Sequence, residues 1–165
     1  MTYRVCFVCT GNICRSPMAE HVFRRRLEEA GLGALVEVDS AGTGGWHEGD
    51  PADPRTVSVL TAHGYTSAHT ARRFRPSWFS ALDLVIALDE GHLRELRRLA
   101  RTPEEADRIR LLRSYDPAAT AIADLDVPDP YYGDREGFER CLEMVEAAGR
   151  GLLAAVDAEL KELTP

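Results

Sequence analysis

Cys9, Arg15 and Ser16 stand in the run Cys9-Thr-Gly-Asn-Ile-Cys-Arg-Ser16 near the start of a 165-residue chain. Their types and spacing suit chemistry on a bound phosphoryl group. A phosphate dianion needs many N–H donors and no competing carboxylate. A tight turn whose backbone N–H groups converge forms such a nest, and the positive end of a following helix adds to it. Residues 10 to 15, from Thr10 through Gly11, Asn12, Ile13 and Cys14 to Arg15, include no acid. Gly11 is expected to supply a backbone angle closed to other residues, and Asn12 is a side chain that tolerates the left-handed region. Arg15, planar and always charged, can grip two phosphate oxygens at once. Cys9 sits at the mouth of the nest, where the helix terminus and Arg15 both favour the thiolate. A sulfur that takes the phosphoryl group and then yields it to water replaces one hard displacement by two easier ones.

Three clustered cysteines also permit a bland reading. Cys6-Phe-Val-Cys9 is formally C-x-x-C, the spacing of a metal knuckle or redox pair. On an extended strand, however, positions 6 and 9 point to opposite faces, so joint ligation would break the strand. No metal and no cofactor are expected. Cys6 and Cys141 read as buried small apolar residues. Cys14 differs, because a loop curled around phosphate brings it toward Cys9, and oxidation that pairs the two would shield Cys9 from irreversible damage.

Cleavage of an ester also needs an acid to protonate the leaving oxygen. The stretch Asp124 to Gly133, rich in Asp, Pro and Tyr, reads as a long ordered loop, and it offers Asp124, Asp126 and Asp129, with Asp134 just beyond. Residue types alone leave all four open.

These groups need a scaffold. Residues 4 to 9 form a short continuous apolar run that suits a strand buried on both faces. Ser16 reads as an N-cap and Pro17 as the first position of a helix whose apolar face (Ala19, Val22, Phe23, Leu27, Ala30) stops at Gly31. A second strand around Val36 and Val38 ends at Ser40, before the turn Ala41-Gly-Thr-Gly-Gly45. Asp53-Pro54 opens a helix that closes near His63-Gly64, residues 83–88 read as a third strand with a helix to about residue 100, and residues 109–112 as a fourth. A long amphipathic helix over residues 136–163 closes the chain. Alternation of this kind predicts one α/β domain over residues 1–165, a doubly wound four-stranded parallel sheet with helices on both faces. In such sheets ligands bind beyond the carboxyl ends of the strands, which places Cys9, Ser40 and Asp89 on one rim.

The N-terminal segment Val-Cys9-x-Gly-Asn-Ile-Cys-Arg-Ser-Pro-Met-Ala-Glu20, with Asp129-Pro-Tyr-Tyr132 far downstream, resembles the low-molecular-weight protein tyrosine phosphatases over essentially the whole chain. The resemblance implies their fold and hydrolysis of phosphotyrosine in proteins or peptides, with inorganic phosphate released. It implies Cys9 as nucleophile, Arg15 as phosphate and transition-state ligand and Asp129 as general acid and base. It implies a left-handed Asn12 tied to Ser40 and His69, a Ser16 that donates to the sulfur, and Trp46, Tyr131 and Tyr132 as aromatic walls of a deep cleft. Thiol-dependent arsenate reductases share the fold but carry two further cysteines on a segment that matches roughly residues 78–100, where this chain has none. In the protein arginine phosphatases the position of Ile13 is typically Thr, so Ile13 and Tyr131-Tyr132 favour tyrosine.

A formal charge of −7 argues against a nucleic-acid binder. The apolar run at the N-terminus is too short for a signal peptide and no stretch reaches the length of a membrane span. The expectation is a cytoplasmic monomer without membrane insertion, with weak self-association at most.

Overall fold

The apolar run Tyr3–Cys9 forms β1 in a computed structural model that describes residues 2–163. β2 (Val36–Gly42) and β3 (Leu84–Ala87) flank it, β4 (Ile109–Leu111) lies outside β3, and every pair is parallel, in the order β2-β1-β3-β4. A strand with parallel neighbours on both sides and helices over both faces has no wet face, which is why β1 shows no polar alternation. Its side chains still alternate. Val5, Phe7 and Cys9 enter one core and Cys6 and Val8 the other, so Cys6 and Cys9 lie on opposite faces as expected.

Among the described residues six α-helices complete the layers: α1 (Arg15–Glu29), α2 (Pro54–Ala62), α3 (Glu90–Leu99), the short α4 (Pro103–Asp107) and α5 (Pro117–Ala121), and α6 (Arg135–Leu163). In α6, Phe138, Cys141, Leu142, Val145, Leu152 and Val156 recur at helical spacing and are buried in the core that holds Phe7, Met18, Val22 and Phe23 of β1 and α1. The opposite face is closed by Phe74, Phe79 and Leu96. The doubly wound α/β sheet with helices on both faces is thus the observed fold. The chain reverses its winding between β1 and β3, so the loops after these two strands meet at the switch point of the sheet.

Two local expectations are corrected. β2 runs on to Gly42, because Gly42 donates to the Arg72 carbonyl at 2.8 Å and its own carbonyl accepts from Phe74 at 2.8 Å; the glycine turn starts only at Thr43. Ser16 is not the N-cap: α1 begins at Arg15, Cys14 occupies the cap position without a side-chain hydrogen bond, and the Ser16 hydroxyl is used elsewhere. The connections also hold short regular segments that the sequence pattern leaves unassigned, namely α4, α5 and 3-10 turns over Pro76–Ala81 and Leu112–Tyr115. Asp53 does cap α2, accepting from Arg55 N at 2.8 Å.

Gly151 shows how closely α6 lies on the chain before α5. A Cβ there would stand 1.9 Å from the Tyr115 carbonyl oxygen, a backbone atom that cannot step aside. Gly151→Ala should therefore destabilise by about 1–3 kcal/mol, although alanine normally gains about 1 kcal/mol over glycine inside a helix. Gly137→Ala, whose methyl would meet only Pro130 Cβ at 3.9 Å, is the control in the same thermal melts. A Gly151→Ala melting temperature at or above that of the parent would contradict this packing.

Candidate active site

The loop between β1 and α1 turns at Asn12, whose φ of 59° lies in the left-handed region. Asparagine visits this region at low cost, and its buried amide is fully used here. Nδ2 donates to Ser40 Oγ at 3.0 Å and to Ser16 Oγ at 2.8 Å, while Oδ1 accepts from Arg72 N at 2.9 Å. His69 Nε2 reaches the Asn12 carbonyl at 2.6 Å. Gly11 does not adopt a left-handed angle, against expectation. A Cβ there would lie 3.0 Å from His47 Cδ2, a tight contact that the part-exposed His47 side chain would have to ease by a small shift.

Glu20 fixes the direction of the hydrogen bonds behind Cys9. Its carboxylate only accepts, from Ser40 Oγ at 2.6 Å and Arg24 at 2.6 Å. Ser40, donating to Glu20, must accept from Asn12. Asn12 donates onward to Ser16 Oγ, so the Ser16 proton faces two acceptors, Cys9 Sγ at 2.9 Å and the Ala41 carbonyl at 3.4 Å, of which the sulfur is the nearer. A buried acid on α1 is thus linked to the sulfur through three side chains.

Arg15 is buried at the floor of the site. One guanidinium nitrogen donates to Asp89 Oδ2 at 2.8 Å and to the Val127 carbonyl at 2.9 Å; the other lies 3.4 Å from Thr10 Oγ1 and 3.8 Å from Asp129 Oδ2. Burial alone would weaken its hold on its proton, but Cys9, Asp89 and Asp129 outweigh that and push its pKa up. Burial likewise pushes the Cys14 thiol up to about 12, with Asp53 and Cys9 adding to the effect.

The stretch Asp124 to Gly133 is bolted to this floor at Val127, whose N–H meets the Leu88 carbonyl at 2.9 Å. Geometry now separates the four acids. Asp126 Oδ1 accepts from Glu90 N at 2.9 Å, Asp124 lies 3.5 Å from Arg113, and Asp134 accepts from Gly137 N at 3.2 Å in the first turn of α6. Asp129, with 43% of its side chain exposed, is the one that lines the cleft over Cys9. That cleft holds about 310 Å³, and Ile13, Cys14, Arg15, Trp46, His47, Tyr131 and Tyr132 also line it. Trp46 is 76% and Tyr132 92% exposed, so both stand at the rim. Trp46 is nonetheless placed: its ring lies on Gly44, where a Cβ would come within 1.8 Å of it.

The predicted residues therefore converge, with Ser40 and His69 behind the loop. Sequence reasoning missed His92, Glu20 and Arg55, and it marked Asp89 only by position. Glu20 left a signal, an acid inside the apolar face of Met18, Ala19, Val22 and Phe23. His92 follows Asp89 by three residues, the spacing at which Asp89 Oδ1 caps α3 by accepting from His92 N at 2.9 Å. Among the described residues no group of three or more His, Cys, Asp or Glu is arranged to hold a metal ion, and no helix is long and apolar enough to cross a membrane.

Comparison with known proteins places this geometry. Residues 4–162 match the family model described as low molecular weight phosphotyrosine protein phosphatase. A low molecular weight protein-tyrosine-phosphatase of Streptomyces coelicolor is 73% identical over 98% of both chains. Low molecular weight protein-tyrosine phosphatase A of Mycobacterium tuberculosis is 50% identical over 98% of this chain and 96% of its own. Among solved structures, a protein tyrosine phosphatase of Entamoeba histolytica superposes with a TM-score of 0.90 at 33% identity, covering 96% of this chain and 99% of that one.

His92 yields a prediction with a definite sign. Its Nε2 pairs with Thr10 Oγ1 at 2.8 Å, and its Nδ1 lies 3.1 Å from Asp89 Oδ1 but off the line of a hydrogen bond. Burial first, then the Arg15 charge, pull its pKa down to about 4, against the opposing pull of Asp89, Asp129 and Asp126. A histidine depressed in the folded state is protonated first in the unfolded chain, so stability falls as pH drops from about 6.5 to about 4. His92→Asn should make that fall shallower, by on the order of 3 kcal/mol at pH 4. Denaturant titrations from pH 7 to 4 measure it, and superimposable curves for the two proteins would refute the assignment.

Proposed function

The chain belongs to the low molecular weight phosphotyrosine protein phosphatase family, and on that footing we propose that it hydrolyses phosphotyrosine monoesters through a phosphocysteine at Cys9. In the first step Cys9 Sγ attacks phosphorus, the S–P bond forms, the bond to the phenolic oxygen breaks, and that oxygen takes a proton from Asp129. In the second, water attacks phosphorus, the S–P bond breaks, and Asp129 takes back a proton from the water, releasing inorganic phosphate. Arg15 and the backbone N–H groups of residues 10–15 hold the non-bridging oxygens, whose charge spreads in a loose transition state. Ser16 steadies the departing sulfur.

The observation that carries this reading is the meeting of Cys9, Arg15 and Asp129 in one cleft walled by Ile13, Trp46, Tyr131 and Tyr132. Such walls suit a flat aryl ester and a protein or peptide that carries it. Cys14, buried in the same loop, fits a protective role: if peroxide converts Cys9 to a sulfenic acid, the Cys14 thiol can displace water and close a disulfide that thiols reopen. Four free cysteines suit a reducing compartment such as the cytoplasm. We read residues 1–165 as one domain and the chain as a monomer, with the exposed Trp46 and Tyr132 able to support weak self-association.

Cys9→Ser should abolish turnover of an aryl phosphate while inorganic phosphate still binds. Asp129→Asn should slow cleavage of a phenol-like leaving group by roughly 10²- to 10⁴-fold, the usual worth of a general acid. Substantial turnover by Cys9→Ser would remove the nucleophile assignment. Phosphotyrosine, phosphoarginine and phosphoserine peptides, tested beside arsenate reduction, should rank phosphotyrosine first; any other order transfers the chain to a different activity on the same fold.

A further inference from the structure

The acid loop has a second anchor, on the far side of Asp129 from Val127. Arg55, in the first turn of α2, donates from one guanidinium nitrogen to the Gly133 carbonyl at 3.1 Å. Its guanidinium carbon lies 4.5 Å from the Phe138 ring centroid and 5.4 Å from that of Tyr131, so the cation is stacked between the start of α6 and the cleft wall. Asp53 holds the fork from the other side, Oδ1 accepting from Nε at 3.0 Å and Oδ2 from a terminal nitrogen at 2.9 Å.

Two further hydrogen bonds turn these contacts into a path. Asp53 N donates to the carbonyl of Ile13 at 2.8 Å, so the residue that grips Arg55 is fastened to the phosphate loop. Tyr131 N donates to Asp129 Oδ1 at 3.1 Å, which turns Oδ2 toward Arg15 and the cleft. The path runs from Ile13 through Asp53, Arg55 and Tyr131 to Asp129.

We propose that Arg55 is a positioning residue for the acid: by clamping Tyr131 and Gly133 to the phosphate loop, it holds Asp129 at the leaving oxygen. This rests on the reading of Asp129 as the general acid. Arg55 itself does not line the cleft over Cys9. Its guanidinium is suited to the task because a planar fork can meet a carboxylate along one edge while its face lies on aromatic rings, which a lysine cannot do.

The test separates this proposal from the reading beneath it. kcat/KM, which reports the first chemical step, is measured for substituted phenyl phosphates of similar size whose phenols range from strongly to weakly acidic, in the parent, Arg55→Ala, Arg55→Lys, Asp129→Asn and the double variant Arg55→Ala/Asp129→Asn. A misplaced acid harms poor leaving groups and spares good ones. Arg55→Ala should lose roughly 10- to 100-fold on the weakly acidic phenols and under about threefold on the most acidic, within the range a general acid supplies. Arg55→Lys should not restore the loss, and in the Asp129→Asn background the Arg55→Ala change should add almost nothing. Loss of equal size across the series, or full additivity in the double variant, overturns the proposal. An Asp129→Asn profile with no dependence on the leaving group instead defeats the general-acid reading itself. Asp53→Asn guards against a failure of Arg55→Ala to fold: asparagine still caps α2 but cannot hold the fork by charge, and the same leaving-group pattern is expected at smaller amplitude. A flat Asp53→Asn profile at parental stability counts against the clamp.

Discussion

The phosphate loop turns on the buried amide of Asn12, held at a φ of 59° by four hydrogen-bond partners drawn from α1, β2 and the chain before the first 3-10 turn. A left-handed residue at this point lets a short loop leave β1 and enter α1. No single contact would secure it. Each partner removed leaves a buried polar atom unpaired, at a cost of about 1–3 kcal/mol. Glu20 sets the polarity of one end of the array, because a carboxylate that only accepts makes Ser40 donate to it and accept from Asn12. Backbone conformation at Asn12 and the hydrogen bonding around Cys9 thus belong to one network.

Around that fixed turn, charge is arranged in two tiers. Arg15 is buried with Asp89 at 2.8 Å, and the Val127 carbonyl takes a second bond from it, so its fork is aimed before any anion arrives. Burying a guanidinium is costly unless carboxylates and hydrogen bonds compensate it, and the sheet's switch point supplies both, from the loop after β3 and from the acid loop. Asp129 belongs to the other tier. It is part-exposed and 3.8 Å from Arg15, near enough to feel the floor of the site and free enough to exchange protons with water in the proposed reaction. The floor is fixed by the bonds of Arg15 to Asp89 and Val127, while Asp129 sits on a loop anchored at Val127 and, in our proposal, at Arg55.

What could be read from the sequence follows the range of the interactions involved. Cys9, Arg15 and the acid-free loop between them are contiguous, and the alternation of strand and helix is local, so the loop between β1 and α1, the sheet and the opposed faces of Cys6 and Cys9 are legible in the sequence. Gly11 does not need the special backbone angle its residue type suggests; the left-handed position is Asn12 alone in this loop. Ser16 looked like a helix cap by local rules, and its hydroxyl is diverted to Cys9 and Asn12 by a network that closes only in three dimensions. Glu20, His92 and Arg55 escaped notice because their partners lie on other elements, or act through them. By residue type alone Asp129 stands among four equivalent acids, and only the family resemblance singles it out; the fold gives Asp124, Asp126 and Asp134 other partners and sets Asp129 in the cleft.

The central claim is that phosphorus passes through Cys9, and direct chemical trapping tests it. The protein is mixed rapidly with a labelled aryl phosphate, quenched within the first turnover and digested under conditions that preserve a phosphorus–sulfur bond, and the labelled peptide is sequenced. The account predicts a stoichiometric burst of phenol together with label on Cys9 alone. Phenol release without any labelled protein, or label on another residue, would contradict it.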